Sequence, residues 1–219
     1  MFHDKRILCI SAHMDDIEFG CGGLVKSLED KAEIFLLILS KDRKSSKGVV
    51  QEIRDLEEQF CSSSFLGVKK ENIFFVEGVP GQLFPEYRQQ ILEEMYRVDA
   101  LINPHFIFVP SRNDVHQDHR TVYNSSLKAF KRKTIIAYEI VNSTEKFSPS
   151  MFVEISEESL NAKINAISCY KSQNNSVVTT GDYFDADAIK GLARIRGARV
   201  GARYAEAFEV VNMMVRQEI

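Results

Sequence analysis

Apolar runs and amphipathic stretches alternate along most of this 219-residue chain, which is the pattern of repeated βαβ units. Short apolar runs predict buried strands at residues 6–11, 33–40, 72–76, 106–109, 134–140, 151–155 and 206–212. Apolar positions three and four apart predict helices at residues 22–31, 49–66, 85–98, 119–130, 156–170 and 185–196. The polar and basic stretch at residues 41–48 predicts a loop. The pattern therefore indicates an α/β fold built on a mostly parallel sheet.

The chain length suits one domain spanning residues 1–219, and neither a repeat nor a linker interrupts the pattern of predicted elements. The formal net charge of −3 supplies no basic field that would attract nucleic acid. The first apolar run, after Arg6, is too short for a signal peptide or a membrane span, so we expect a cytoplasmic protein. The four cysteines form no Cys-x-x-Cys pair, and we expect reduced, buried thiols. They are Cys9, Cys21, Cys61 and Cys169.

Two clusters of acidic residues and histidines each follow a predicted strand. The first is Ser-Ala-His-Met-Asp-Asp-Ile-Glu at residues 11–18, and the second is His-Gln-Asp-His at residues 116–119. Loops that leave the carboxyl ends of parallel strands meet at one edge of the sheet, where ligands bind. His3 and His105 precede strands instead, and we expect them at the opposite edge.

Together the clusters supply the parts of a catalytic zinc site, which takes three protein ligands and leaves one position open. His13 and Asp16 are three positions apart, so a tight loop turns both inward. His116 or His119 provides the third ligand. Asp15 is then free to accept a proton as general base, and the remaining histidine to stabilise an oxyanion or to protonate a leaving amine.

Other interpretations compete with a metal site. Asp118 either orients a ligating histidine from outside the coordination shell or caps the helix that begins there. Aspartates are also common in turns. The turn Gly20-Cys21-Gly22-Gly23 does not fit a dinucleotide fingerprint, because Val25 stands where a third glycine is needed. A non-catalytic module that binds a sugar or a nucleotide is the alternative from another functional class.

Both clusters resemble the motifs of one enzyme family. Residues 12–18, Ala-His-Met-Asp-Asp-Ile-Glu, are similar to the Ala-His-Pro-Asp-Asp-x-Glu signature of the PIG-L/LmbE-like N-acetylglucosaminyl N-deacetylases, and residues 116–119 resemble its His-x-Asp-His motif. The resemblance extends over most of the chain through weaker landmarks. They are the Arg-x-x-Glu segment at residues 54–57, Tyr138-Glu139, Tyr-Lys-Ser-Gln at 170–173 and Tyr-Ala-Glu-Ala-Phe at 204–208.

The resemblance implies a Rossmann-like three-layer sandwich with the active site at the carboxyl-terminal edge of the strands. It implies a metal-dependent hydrolase of a linear amide C–N bond, which removes the acetyl group of an N-acetylglucosamine-type conjugate. By position, the ligands of Zn²⁺, or of another divalent metal such as Fe²⁺, are His13, Asp16 and His119. Asp15 is then the general base, and His116 stabilises the tetrahedral intermediate.

Substrate contacts are expected from three further residues. The resemblance places Arg54 near the site, and Arg43 follows a strand on the active edge, where it faces an anionic aglycone. Met14 replaces the proline of the family signature, so we expect either a looser loop or a thioether that lines the pocket. The partner is thus a small acetamido-sugar conjugate, with another amide-bearing conjugate as an alternative, and the loosely patterned C-terminal third leaves room for a homo-oligomer contact.

Overall fold

The computed structural model describes residues 1–44, 50–53, 56–171 and 185–215. Nine strands are present in this part of the chain: β1 Arg6–His13, β2 Glu33–Ser40, β3 Asp42–Lys44, β4 Val50–Ile53, β5 Ile73–Phe75, β6 Phe106–Pro110, β7 Thr134–Tyr138, β8 Met151–Glu154 and β9 Ala205–Asn212. It also holds six α-helices: α1 Asp16–Ser27, α2 Leu56–Phe65, α3 Arg88–Ile102, α4 Gln117–Ala129, α5 Glu157–Ser168 and α6 Ala186–Ala198. A single 3-10 turn, Lys70–Asn72, leads into β5.

Seven strands form one sheet in the order β5-β2-β1-β6-β7-β9-β8. The first five are parallel, whereas β9 is antiparallel to both β7 and β8. This confirms the expected α/β class with a mostly parallel sheet. Because β6 is the middle strand of the sheet and β1 lies beside it, the two predicted clusters follow neighbouring strands.

The two faces of the sheet carry separate apolar cores, since side chains alternate along each strand. Ile7 and Cys9 of β1 belong to one core together with Leu24 of α1. Leu8 of β1 belongs to the other, together with Ile91 of α3. Helices α1 and α2 pack against α5, and α3 packs against α4, so helices cover both faces. No helix among the described residues is long and apolar enough to cross a lipid bilayer.

Two segments differ from the predicted elements. Residues 50–53 form an antiparallel ribbon with 42–44 instead of the first turn of a helix, and the helix described after them is α2, Leu56–Phe65. Val50 and Ile53 are β-branched, which suits a strand once a partner is available. Helix α1 begins at Asp16 instead of Gly22, and a kink at Cys21 (φ −146°, ψ 19°) divides it.

Candidate metal centre

The first cluster forms a tight turn between the end of β1 and the start of α1. Asp15 lies at this junction with φ 95°, a conformation that costs free energy for any residue with a Cβ. One carboxylate oxygen of Asp16, Oδ2, accepts hydrogen bonds of 2.9 Å from the backbone N–H groups of both Ala12 and His13. The turn therefore fixes the carboxylate of Asp16 next to the ring of His13.

The second cluster follows β6 and opens α4. His116 is the N-cap of α4, and its Nδ1 accepts a hydrogen bond of 3.2 Å from the backbone N–H of Asp118. Asp118 is fully buried, and it accepts hydrogen bonds from the backbone N–H groups of Gln82 (2.5 Å) and Phe84 (3.2 Å). The loop after β5 thereby holds Asp118 in place.

The two clusters meet through side-chain contacts. His13 Nε2 lies 2.9 Å from Asp118 Oδ2, and His119 Nε2 lies 3.3 Å from Asp16 Oδ1. The ring centroids of His13 and His119 are 5.4 Å apart, and the ring of His116 lies within 4.8 Å of both. The structure thus brings all three histidines that were expected at this edge to one point.

An aspartate that sequence reasoning missed supports His119 from behind. Asp114 Oδ2 lies 2.8 Å from His119 Nδ1 and accepts a hydrogen bond of 2.8 Å from Ser143 Oγ. Its other oxygen accepts a hydrogen bond of 2.8 Å from the backbone N–H of His116. Asp114 also pairs with Thr144 in an isolated β-bridge. Asp114 lies two residues before the His-x-Asp-His motif, and this proximity is the feature of the sequence that could have indicated its role.

Charges within the cluster shift the pKa values of its members. Burial opposes the charge on His119, but the carboxylates of Asp16 and Asp114 outweigh burial and raise its pKa to about 10. Burial likewise opposes ionisation of Asp16, and the charge and hydrogen bonds of His119 and His13 hold the pKa of Asp16 well below its ordinary value. Burial and the nearby His13 and His119 lower the pKa of His116 to about 4. The cluster without a cation therefore holds Asp16 as a carboxylate.

This arrangement fits a divalent cation. His119 Nε2 is buried and points at Asp16 Oδ1, 3.3 Å away. His13 uses Nε2 toward Asp118, which leaves its Nδ1 to face Asp16 Oδ2 at 3.8 Å. One potential ligand atom each from His13, Asp16 and His119 lie within 4.8 Å of one another. Two imidazoles and one carboxylate form the ligand set of an open zinc site, and related divalent metals accept it too.

A second combination, His13 with His116 and Asp118, satisfies the same distance limit. It is the weaker candidate, because the His13–Asp118 contact is already a hydrogen bond and Asp118 is occupied by two backbone donors. The geometry favours Asp118 as the residue that orients His13.

Comparison with known proteins identifies the family. The family model described as GlcNAc-PI de-N-acetylase, PIG-L, matches residues 8–130. The chain belongs to the PIG-L family. This family hydrolyses an amide C–N bond, which agrees with the enzyme class expected from the motifs.

Individual relatives of this PIG-L protein cover nearly its whole length. The diacetylchitobiose deacetylase of Thermococcus kodakarensis is 27% identical over 96% of this chain and 85% of its own. The crystal structure of the conserved protein TT1542 from Thermus thermophilus superposes with a TM-score of 0.73 over 97% of both chains, at 24% identity. The 4-carboxy-2-hydroxymuconate hydratase GalB from Pseudomonas putida superposes with a TM-score of 0.70 over 98% of this chain and 99% of its own, at 17% identity. The last two show a shared fold.

The glutamate of the PIG-L signature has a packing role here. Glu18 is buried, and its Oε1 accepts hydrogen bonds from Gln59 Nε2 (3.1 Å), Ser62 Oγ (2.6 Å) and Tyr170 Oη (2.8 Å). Burial raises its pKa despite these donors. Glu18 therefore ties α1 to α2 and to the segment that follows α5.

The glycines after the signature allow close packing around the kink in α1. A Cβ at Gly20 would meet the ring of Tyr138 at 2.1 Å. Glu206 accepts hydrogen bonds from the backbone N–H groups of Gly23 (2.9 Å) and Leu24 (2.6 Å), and Lys163 donates to the carbonyl of Phe19 (2.8 Å). Lys163 and Glu206 also pair with each other at 2.6 Å. This buried pair satisfies backbone groups that the kink would otherwise leave without partners.

The expected substrate residues have different outcomes. Arg54 lies outside the described residues, and Arg43 is placed only as a member of β3. Met14 is 0% exposed and belongs to the same core as Leu24, so its thioether does not line a pocket. An apolar side chain at this position packs the turn from inside, which the motif alone does not reveal.

The cysteines also differ from the expectation of reduced thiols. Cys61 of α2 and Cys169, just after α5, form a disulfide with a Cα–Cα distance of 6.1 Å. Cys9 and Cys21 are free and buried, as expected. The disulfide joins two elements that also converge on Glu18.

Proposed function

We propose that this protein is a zinc-dependent N-deacetylase that converts the acetamido group of an N-acetylglucosamine-type sugar conjugate into a free amine and acetate. The observation that carries the proposal is the meeting of His13, Asp16 and His119 in one buried cluster, with Asp15 in the turn between two of them. The 27% identical diacetylchitobiose deacetylase supports the substrate class. The formal net charge of −3 supplies no basic field for nucleic acid, which fits a small-molecule substrate.

His13, Asp16 and His119 would hold the cation. When bound, Zn²⁺ acts as a Lewis acid toward the acetyl carbonyl and lowers the pKa of water toward neutrality. Asp118 and Asp114 fix the rings of His13 and His119 from behind, which sets which imidazole nitrogen each ring presents.

Asp15 would act as the general base. Asp15 is 4% exposed and stands one residue before the ligand Asp16, in the turn next to the place where the acetamide would bind. It accepts the proton of the attacking water and then returns a proton to the departing amine. The φ of 95° at Asp15 is a strained backbone conformation, which persists because the surrounding turn maintains it.

His116 would stabilise the tetrahedral intermediate. Since its Nδ1 accepts a hydrogen bond from Asp118 N–H, the neutral ring carries its proton on Nε2. That N–H donates to the oxyanion as it forms, with no need for a charged imidazolium. The ring is about one-third exposed, with a side-chain exposure of 33%, so a substrate can reach it.

The fold alone does not select this reaction, because a hydratase shares it at 17% identity. A direct test therefore measures acetate release from N,N′-diacetylchitobiose, free N-acetylglucosamine, a glycoside with a carboxylate aglycone, and nucleotide-linked acetamido sugars. We expect acetate from at least one sugar, its loss after chelation, and its recovery with Zn²⁺ or Fe²⁺. No acetate from any of these substrates with metal-loaded protein, or release that survives full removal of the metal, would overturn the proposal.

A further inference from the structure

A cavity of about 560 Å³, separate from the metal centre, opens at the amino-terminal edge of the sheet. It lies between the segments that precede β6 and β7 and the segment that follows β9, at the end of the strands away from the metal centre. Its volume falls in the range of about 300–1,000 Å³ that small-molecule sites occupy. The lining residues are Met1, Lys5, Asn103, Pro104, His105, Phe106, Arg132, Lys133, Thr134, Met213, Met214 and Val215.

The charged side chains of this lining are all basic. Lys5, Arg132 and Lys133 contribute cations, and neither aspartate nor glutamate is among the lining residues. Lys133 is partly neutralised by Asp99 at 3.4 Å and also contacts Asn103. Lys5 and Arg132 have no ion-pair partner among the residues that the structure describes. The cavity therefore carries positive charge that the described protein does not compensate.

The pKa of His105 reflects this positive potential. Its Nδ1 accepts a hydrogen bond of 3.0 Å from the backbone N–H of Arg6, so this nitrogen carries no proton. Burial together with the charges of Arg6, Lys5 and Lys133 lowers the pKa of the ring. A neutral imidazole beside several cations is typical of a place where the local field favours an anion.

Part of the wall is apolar and exposed. Met213, Met214 and Val215 are 51%, 42% and 78% exposed, and Phe106 also lines the cavity. The wall is fixed to the sheet, because the backbone N–H of Met214 donates a hydrogen bond of 3.0 Å to Thr134 Oγ1. Exposed apolar residues grouped around one opening mark a binding surface, and methionines adapt to ligands of varied shape.

We propose that this cavity binds a small organic anion with an apolar body. Its carboxylate or phosphate group contacts Lys5 and Arg132, and its apolar part packs against Met213 and Met214. The combination of free cations and exposed methionines within one cavity favours this ligand class over a purely inorganic anion, which would leave the methionines in water. The proposal is independent of the deacetylase reaction at the other edge.

The test uses isothermal titration of the full-length, zinc-loaded protein with octyl phosphate, below its micelle concentration. We expect saturable binding that Lys5→Glu and Arg132→Glu each weaken by about tenfold or more, since each variant removes a charged hydrogen-bond donor and adds a negative charge. Lys128→Glu changes the net charge equally at an exposed position of α4 outside the cavity, and it should bind as the wild type does.

Further titrations distinguish the contribution of the anionic group of the ligand from that of its apolar part. Inorganic phosphate and octyl glucoside should each bind much more weakly than octyl phosphate, and Met214→Gln should weaken octyl phosphate but not inorganic phosphate. Equal binding by Lys5→Glu, Arg132→Glu and wild type would overturn the proposal. The proposal would also be overturned if sedimentation showed that the protein is a dimer whose second copy covers the cavity, and that Arg132→Glu merely dissociates this dimer. Unchanged circular dichroism and an unchanged denaturant midpoint in these variants show that a negative result does not come from misfolding.

Discussion

At the carboxyl-terminal edge of the sheet, the side chains of His13, Asp16 and His119 are only 15%, 5% and 5% exposed, and carboxylates hold both imidazoles from behind. At the amino-terminal edge, Lys5 and Arg132 surround an open cavity with no carboxylate in its lining. Each edge gathers residues that are distant in sequence. At the carboxyl-terminal edge carboxylates contact the histidines directly, whereas Lys5 and Arg132 have no ion-pair partner among the described residues. Buried side chains in a fixed geometry are typical of a metal site that catalyses a reaction. An open surface with positive charge is typical of a site that binds an anion reversibly.

The largest expected effect of a substitution is at His119. His119→Ala should abolish stable zinc binding, lowering affinity by more than about 100-fold, because even residues behind the ligands contribute about 10–100-fold. Metal content after dialysis measures this. His3→Ala is the matched control, since His3 lies before β1 and is exposed. Full zinc content in His119→Ala would remove this residue from the ligand set.

The next effect separates chemistry from metal binding. Asp15→Asn should keep its zinc but lower kcat by about 10²–10⁴-fold, the range of general acid–base catalysis. Asp30→Asn is a control of the same type, because Asp30 also has a positive φ of 62° but precedes β2 at the opposite edge. Steady-state kinetics with metal analysis distinguish the outcomes, and an unaffected kcat in Asp15→Asn would exclude the general-base role.

A smaller effect tests the carboxylate behind His119. Asp114→Asn should weaken zinc affinity by about 10–100-fold while the fold is retained. Competition with a chromophoric chelator measures the affinity without relying on turnover. Asp99→Asn, which removes the carboxylate beside Lys133 at the other edge, should leave zinc affinity unchanged. Equal zinc affinity in Asp114→Asn and wild type would contradict the supporting role.

The smallest effect concerns packing near the signature. Gly20→Ala would place a Cβ 2.1 Å from the ring of Tyr138, and the overpacking should cost about 1–3 kcal/mol of unfolding free energy. Gly191→Ala in α6 meets nothing within 4 Å and should be neutral or stabilising by up to about 1 kcal/mol. Denaturant unfolding compares the two variants. If Gly20→Ala is as stable as Gly191→Ala, the turn is less tightly packed than the structure indicates.

The sequence predicted the elements whose patterns are local. Strand β2 has the predicted bounds 33–40, and the expected strands and helices after residue 72 end within a few residues of those observed. The ribbon of β3 and β4 was missed, because a pairing between 42–44 and 50–53 leaves little signal in either segment alone. The early start of α1 was missed for a similar reason, since Glu206 and Lys163, far along the chain, satisfy the kink.

The two clusters and their common edge also followed from sequence, because strand order and handedness place such loops together. Asp114 did not follow, since its role depends on a bridge to Thr144 that only the folded chain shows. The thioether of Met14, expected as one possibility to line the pocket, lies in the core instead, where Met14 is 0% exposed. Local spacing thus identified candidate ligands, whereas supporting contacts required the tertiary structure.

The most direct test is an anomalous diffraction map, recorded at the zinc absorption edge from crystals of the zinc-loaded protein. We predict one strong peak within about 2.5 Å of a nitrogen of His13, a carboxylate oxygen of Asp16 and Nε2 of His119, with a non-protein ligand completing the shell. A peak between His13, His116 and Asp118, or a shell closed by four protein side chains, would contradict a catalytic centre built on the first three residues.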